Sequence, residues 1–338
     1  MANKHMNWAR VKHRILEELD ATRKIAALTS WSGAITTFIA KVDIQIMNHN
    51  GYKEYGLFKK HLLKKHDVMM KYLDQCYADF IRTYDFDHVS VPETSPYCDV
   101  IWVCWWQGED QSPAIVKCCL ETIRKSAPNH RVIIITEDNY KDYVSFPKWV
   151  EDKRCNGIFS RTHYSDLLRL NLLSKYGGMW IDSTFFVVDN YLDACFEKPL
   201  WSIKRPDYFH ASIAQGYFAG YSWCCDMEHR KIFAVVRDFA YYYWKKYDFL
   251  VDYLLVDYWV ALALRHCDWM RKDFEAIEPN NPLCDELYKV LGDPFDEAKW
   301  NQLKENTSLF KLTWKQEYPM MKDGKKTFYG MLIESRLL

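Results

Sequence analysis

No run of apolar residues in this chain approaches the ~20 needed to span a bilayer. The first residues, Met1-Ala2-Asn3-Lys4-His5, are too polar for a secretory leader. Neither sign of charge is in surplus. Lys+Arg and Asp+Glu both number 45, which argues against general nucleic-acid binding, since that needs a basic excess. The 11 histidines form no His-x-x-x-His or similar cluster, so the pattern of a metal hydrolase is missing. The 11 cysteines include the adjacent pairs Cys118-Cys119 and Cys224-Cys225, but no spacing suits a tetrahedral zinc site. An odd count without a leader reads as reduced thiols. There is no internal repeat and no low-complexity tract. These absences together predict a soluble, cytoplasmic chain, with peripheral contact at the inner face of a membrane left open.

What is present is apolar and aromatic. Of 338 residues, 49% are hydrophobic and 16% aromatic, with 14 Trp and 23 Tyr. That is ample for one large domain, or a core domain with an appendage. Aromatic faces stack on sugars and bases, but they also fill cores.

Residues 1–95 read as a helical N-terminal region with few breakers. Tyr55 to Tyr84 carries Leu57, Leu62, Met69, Leu73, Tyr77 and Phe80 at spacings compatible with one or two amphipathic helices. The runs Lys59-Lys60-His61 and Lys64-Lys65-His66 would give a basic face. A solvated face is the simpler reading; contact with anionic lipid headgroups, helped by Trp31 and Phe38, is the sharper one.

Residues 96–338 read as an α/β domain. After an extended linker punctuated by Pro92 and Pro96, Val100 to Trp106 predicts a buried strand followed by Gln107-Gly108. Pro113 opens a helix at its first position. Val132-Ile133-Ile134-Ile135 predicts a second, parallel strand, which completes a right-handed βαβ unit.

The most informative stretch runs from Ser160 to Val188. Ser160 or Thr162 can cap a helix whose apolar stripe includes Leu167, Leu170 and Leu173. Asp166 and Arg169 lie i,i+3 on one face of it. Gly177-Gly178 supplies a stop. Met179-Trp180-Ile181 and Phe185 to Val188 read as strand covered on both faces. Asp182-Ser183-Thr184 breaks that run as a bulge or strand end would. Three polar residues, Asp166, Arg169 and Asp182, interrupt an apolar sequence, and buried charge is costly unless it is paired or used. Asp182 falls at the carboxyl end of a strand, where α/β enzymes hold charged ligands. A structural Asp166–Arg169 ion pair stands beside the functional reading.

The string Ser165-Asp166-x-x-Arg169, Tyr176-Gly177-Gly178 and a strand ending Asp182-Ser183-Thr184 resembles the sugar-nucleotide site of glycosyltransferase family 32 and the bacterial capsular polysaccharide synthesis proteins. The strand Ile101-Trp102-Val103-Cys104-Trp105-Trp106-Gln107-Gly108 extends the resemblance. It implies a GT-A-like fold, a mixed and mainly parallel sheet flanked by helices. It also implies a glycosyltransferase that moves a hexose from a nucleotide sugar, a UDP-sugar first among them, to a saccharide acceptor in capsule assembly, the acceptor being lipid-linked and the α configuration retained. A toxin-like transferase acting on a protein, or a silent sugar-nucleotide binder, are the alternatives.

Carried over residue by residue, the resemblance places Asp166 and Arg169 on the donor sugar, with Gly178 beside them in the motif. It places Asp182, with Ser183 and Thr184, at the metal on the diphosphate or at the ribose. At the diphosphate Asp182 would hold a divalent metal, Mn2+ or Mg2+. This chain has Thr184 where the family's Asp-x-Asp has its second carboxylate, and a hydroxyl is the weaker ligand for a hard cation. Trp105, Trp106 and Gln107 would lie beside the base and ribose. Alternation along a strand points the two tryptophans opposite ways, and the sequence does not choose between them. Asp257 falls on a helix lining the acceptor side. In the tail, Lys311, Trp314 and Lys315 would touch the diphosphate, or else form a surface strand with solvated lysines.

Overall fold

The computed structural model describes residues 8–337; the polar residues 1–5 discussed above lie outside that range. Helices α1 (Trp8–Leu28), α2 (Trp31–His49) and α3 (Gly56–Thr83) come first, followed by β1 (Val100–Cys104), α4 (Ala114–Lys125) and β2 (Arg131–Ile135). Short α5 (Tyr140–Tyr143) and α6 (Lys148–Cys155) precede α7 (Arg161–Tyr176), β3 (Gly178–Ile181) and β4 (Phe185–Val187). Next are α8 (Tyr191–Phe196), β5 (Leu200–Ser202), β6 (Ser222–Cys225), α9 (Arg230–Lys246), α10 (Leu255–His266) and α11 (Asp268–Glu275). The chain closes with α12 (Leu287–Val290), α13 (Glu297–Lys304), β7 (Leu309–Lys311), a small hairpin of β8 (Met321–Lys322) and β9 (Lys325–Lys326), and α14 (Phe328–Ile333).

The central sheet has the order β2-β1-β3-β6-β5. β1 runs parallel to β2 and β3, β6 is antiparallel to β3, and β5 is antiparallel to β6. β6 alone therefore opposes the other four strands, which makes the sheet mixed and mainly parallel. Strand alternation divides its side chains between two cores. Trp102, Trp180 and Trp223 sit side by side across β1, β3 and β6 and pack under α7, α9, α10 and α3. Ile101, Val103, Met179, Ile181 and Cys224 point the other way, to α4, α14 and the β4–β7 pair. Burial on both faces is why these strands read as unbroken apolar runs.

Several elements are shifted from their sequence expectations. β1 stops at Cys104, and Pro113 is the N-cap of α4 rather than its first residue. Ser160, not Thr162, caps α7, its Oγ accepting from the His163 amide at 3.3 Å. Residues Met179 to Val188 are not one interrupted strand. The chain leaves the central sheet at Asp182, and β4 pairs with β7 in a separate two-stranded sheet. Gly177 and Gly178 end α7 with φ of 77° and 79°. At Gly178 a Cβ would stand 2.3 Å from the Val100 carbonyl oxygen, so β3 can lie beside β1 only with glycine there.

The lysine-rich runs in α3 are a solvated face only in part, with Lys60 and Lys64 exposed. Lys65 and His66 are buried. Lys65 Nζ donates to Asp252 at 2.8 Å, and the His66 ring bonds the Tyr258 hydroxyl at 2.7 Å. Lys65 and His66 fall on the same side of α3 as Leu62, Met69 and Leu73, and that side faces the core. α2 carries an exposed apolar stripe, with Trp31, Ile35, Ile39, Val42 and Ile46 all open to solvent.

Candidate functional site

Asp166, Arg169, Asp182, Asp257 and Lys311 converge at the carboxyl ends of β1 and β3. Asp182 follows β3 directly. Its amide donates to the Tyr221 carbonyl and its own carbonyl accepts from the Phe185 amide, both at 3.1 Å, which fixes a tight turn between the two sheets. Trp180, two residues earlier and on the same strand face, donates its indole N–H to Asp182 Oδ1 at 3.1 Å. Lys311 Nζ donates to Asp182 Oδ2 at 2.7 Å and to Thr184 Oγ1 at 2.8 Å.

The face of α7 above the tryptophan row supplies the second part. Arg169 Nη2 donates to Asp166 Oδ1 at 2.9 Å, and both residues are buried, 6% and 7% exposed. The guanidinium lies 5.0 Å from the Trp180 ring and 5.5 Å from that of Trp223. A planar cation between two indoles is well placed for cation–π attraction. Arg169 Nε and Trp223 Nε1 are nevertheless buried with no hydrogen-bond partner within the protein. Buried donors left open in this way are uncommon, and a bound ligand or water would satisfy them.

Asp257 closes the third side. It sits in the first turn of α10, buried, and accepts from Ser212 Oγ at 2.7 Å. Gly220 lies between it and the arginine: a Cβ there would come within 2.8 Å of Asp257 Oδ1 and 3.5 Å of Arg169 Nη1. Three carboxylates thus surround one guanidinium.

The environment separates these carboxylates by charge state. Burial, together with the neighbouring Asp257 and Asp182, pushes the Asp166 carboxyl up to about 7 against the pull of Arg169. Burial likewise raises Asp257 to about 6, although Ser212 and Arg169 oppose it. Burial acts on Asp182 in the same sense, but the positive charges of Lys311 and Arg169 and the bonds from Lys311 and Trp180 outweigh it, holding Asp182 below the ordinary carboxylate range. Near neutral pH the pocket therefore offers one fixed carboxylate and two that can carry a proton and donate it. That combination suits sugar hydroxyls, which both donate and accept. Burial drives the Cys104 thiol, which neighbours this group, up to about 12. It stays protonated and is no nucleophile.

The tandem tryptophans separate as alternation requires. Trp106 is a core residue, its indole donating to Ser165 Oγ at 2.8 Å and packed on Tyr140 and Tyr164. Trp105 is half-buried and meets the exposed Trp314 edge-on, with ring centroids 5.7 Å apart. These two rings are the aromatic surface at the strand end. Gln107 and Lys315 are exposed nearby in sequence, while Ser183 is buried beside Thr184. Gly178 is not brought to the group, because it lies at the opposite end of β3, against Val100. Two surface clefts, of about 460 Å³ beside Tyr84 and Trp269 and about 310 Å³ beside Thr122 and Val188, hold none of the predicted residues.

Sequence reasoning missed Ser212, Trp223 and the role of Trp180. Ser212 carries no local signal, since it matters only through a fold contact. Gly220 had one: a small residue among aromatics in Gln215 to Gly220.

A divalent cation held at Asp182, as the resemblance implies, would take its other oxygen ligands from the diphosphate and water. The place between the Asp182 carboxylate and the Thr184 hydroxyl, however, is already filled by the Lys311 ammonium. Among the described residues no group of three His, Cys, Asp or Glu side chains could hold a metal. The residues present do not fit the ion.

The sequence profile of the family described as capsular polysaccharide synthesis protein matches residues 49–332. The O-glycosyltransferase braB of Annulohypoxylon truncatum is 27% identical over 107 residues, covering 29% of this chain. The chain spans only 25% of that relative's length. No solved structure matches the chain.

Proposed function

Since the chain belongs to the capsular polysaccharide synthesis protein family, we propose that it is a glycosyltransferase of GT-A type. It moves a hexose from a nucleotide sugar, UDP-linked in the first instance, to a saccharide acceptor of a surface polysaccharide, with retention at the anomeric carbon. The observation that carries this reading is the convergence of Asp166, Arg169, Asp182, Asp257 and Lys311 at the carboxyl ends of β1 and β3. A protein similar to less than a third of this chain, at 27% identity, is named an O-glycosyltransferase, which points the same way.

The chemistry asks two things of a protein. Breaking the bond between anomeric carbon and phosphate builds positive charge on the sugar ring and negative charge on the departing diphosphate. The first charge is favoured by a carboxylate-lined sugar pocket. Asp166 and Arg169 hydrogen-bond the sugar hydroxyls there, and Asp257 with Ser212 forms the wall across from them. The second charge needs a cation, and Lys311 is the one that stands at Asp182. Trp105 and Trp314 provide a stacking surface for the base, a contact worth ~1–3 kcal/mol.

The test is a panel of UDP- and GDP-sugars, scored for binding and for slow hydrolysis in the absence of acceptor. Turnover of one donor is expected. Asp182→Ala should reduce it by at least about a hundredfold, the scale of losing one preorganised charge contact to a developing anion, while circular dichroism stays unchanged. Silence across the panel would refute the enzyme reading, and an active Asp182→Ala variant would refute this placement of the site. A lipid-linked saccharide against a protein acceptor then separates polysaccharide synthesis from protein modification.

A further inference from the structure

The Lys311 ammonium stands where the second half of a metal site would be. Two of its three N–H bonds are used, at 2.7 Å to Asp182 Oδ2 and 2.8 Å to Thr184 Oγ1. These are the two side chains that would ligate a cation in an Asp-x-Asp pattern. An ion bound to both would lie almost on the nitrogen, and two like charges cannot share that space. A metal bridging Asp182 and the diphosphate would have to displace this ammonium, whose own positive charge already faces Asp182.

The lysine is not an accidental neighbour. β7 pairs antiparallel with β4, with Lys311 opposite Phe185. The Leu312 amide donates to the Thr184 carbonyl and the Lys311 amide to the Cys284 carbonyl, both at 2.9 Å. The backbone that carries Asp182, Ser183 and Thr184 therefore also fixes the register of the lysine. Its side chain is 23% exposed and the Asp182 side chain 30%; the ammonium also lies 5.1 Å from the Phe185 ring and 5.4 Å from that of Tyr221, weak contacts that a ligand oxygen can replace at the third N–H bond. Lysine at 311 and threonine rather than aspartate at 184 are complementary choices: a carboxylate at 184 would call for more positive charge than one ammonium carries.

We propose that Lys311 replaces the divalent metal, taking the charge of the nucleoside diphosphate, so that donor binding and bond cleavage proceed without a metal ion. The inference rests on the transferase reading above. In the step, the bond from the anomeric carbon to the bridging phosphate oxygen breaks and its electron pair stays on that oxygen. The acceptor hydroxyl oxygen bonds the anomeric carbon, and its proton passes to the departing phosphate oxygen. Lys311 donates a hydrogen bond to the diphosphate throughout and remains protonated.

The experiment titrates UDP and GDP into EDTA-treated full-length protein by calorimetry, repeats the titration with Mn2+, and measures donor hydrolysis under both conditions. The expected result is diphosphate affinity and hydrolysis within about twofold with and without Mn2+, and no Mn2+ bound in electron paramagnetic resonance. Lys311→Met should weaken diphosphate binding by about tenfold or more, as expected for loss of a charge-assisted bond, and weaken nucleoside monophosphate binding little. Lys311→Arg, which keeps the charge, should retain metal-free binding. The double variant Lys311→Ala/Thr184→Asp should bind Mn2+ and become dependent on it. Loss of wild-type hydrolysis in EDTA with rescue by Mn2+ overturns the proposal, as does stoichiometric Mn2+ binding by the wild type. Unchanged diphosphate affinity in Lys311→Met overturns it too. Failure to bind any nucleoside diphosphate with or without Mn2+ is a different result: it overturns the transferase reading, and the proposal falls with it.

Discussion

Asp166 and Asp257 are carboxyl groups held near neutrality by burial, and this has a consequence for stability. Asp166 ordinarily titrates near 3.8 and here near 7, and Asp257 is raised in the same direction to about 6. Between those limits the folded chain holds protons that the unfolded chain has released. Their contribution to stability is therefore full below about pH 4 and is lost as the pH rises through the folded-state values. Asp166→Asn removes one of these titrations and keeps an acceptor for Arg169. Its melting temperature should fall less than that of the wild type between about pH 5 and about pH 8, as read by thermal melts at both values. Two glycines make a contrasting pair at the same scale. Gly178→Ala drives a Cβ to 2.3 Å from the Val100 backbone at a φ of 79°, so a loss on the order of 3 kcal/mol is expected in chemical denaturation. Gly220 has ordinary φ, and its Cβ would meet the Asp257 carboxylate at 2.8 Å. Gly220→Ala should leave unfolding within about 1 kcal/mol of wild type, because a side-chain tip can yield, while donor affinity falls by about tenfold or more.

Among the elements, α3 and the turn before α10 are joined by the ion pair of Lys65 and Asp252, 1% and 3% exposed. A buried pair of this kind is costly to break from one side. Lys65→Met strands the Asp252 carboxylate and should lose about 3–5 kcal/mol in urea unfolding. The double change Lys65→Met/Asp252→Leu should recover most of that loss, because apolar replacements of similar volume restore packing without leaving a charge behind. The sequence of α3 foretold a helix well, since helical periodicity is local. It did not foretell that Lys65 faces inward with a partner 187 residues away. The same limit applies at Trp105 and Trp106. Alternation shows that they point apart, but only the position of Tyr140, Tyr164 and Trp314 shows which one is core.

At the scale of the molecule, the helical N-terminal region and the α/β region share one core. Tyr77, Tyr72 and Leu73 of α3 belong to the same cluster as Trp180, Phe239 and Tyr258, and the Tyr77 hydroxyl donates to the Phe239 carbonyl at 2.7 Å. Removal of residues 1–95 would expose this cluster. The truncated chain is expected to lose its cooperative melting transition and to elute as aggregate in size-exclusion chromatography; a monomeric, cooperatively melting fragment would show that the α/β region folds alone. No helix among the described residues is long and apolar enough to cross a membrane.

The sequence by itself determined the Ser160 to Asp182 segment and much of its chemistry. A capped helix, an i,i+3 Asp–Arg pair, a glycine stop and a strand-end aspartate are short-range properties, governed by 3.6-residue and two-residue periods and by glycine's freedom of φ. The tertiary structure alone decided what completes the site. Lys311 reaches Asp182 from 129 residues away, Asp257 arrives on the first turn of α10, and Gly220 opens the space between it and Arg169. These meetings depend on strand pairing and helix packing between distant segments, which no local period encodes. The missing carboxylate at Thr184 was legible as a substitution; that an ammonium lies in its place became visible only when β7 was paired with β4.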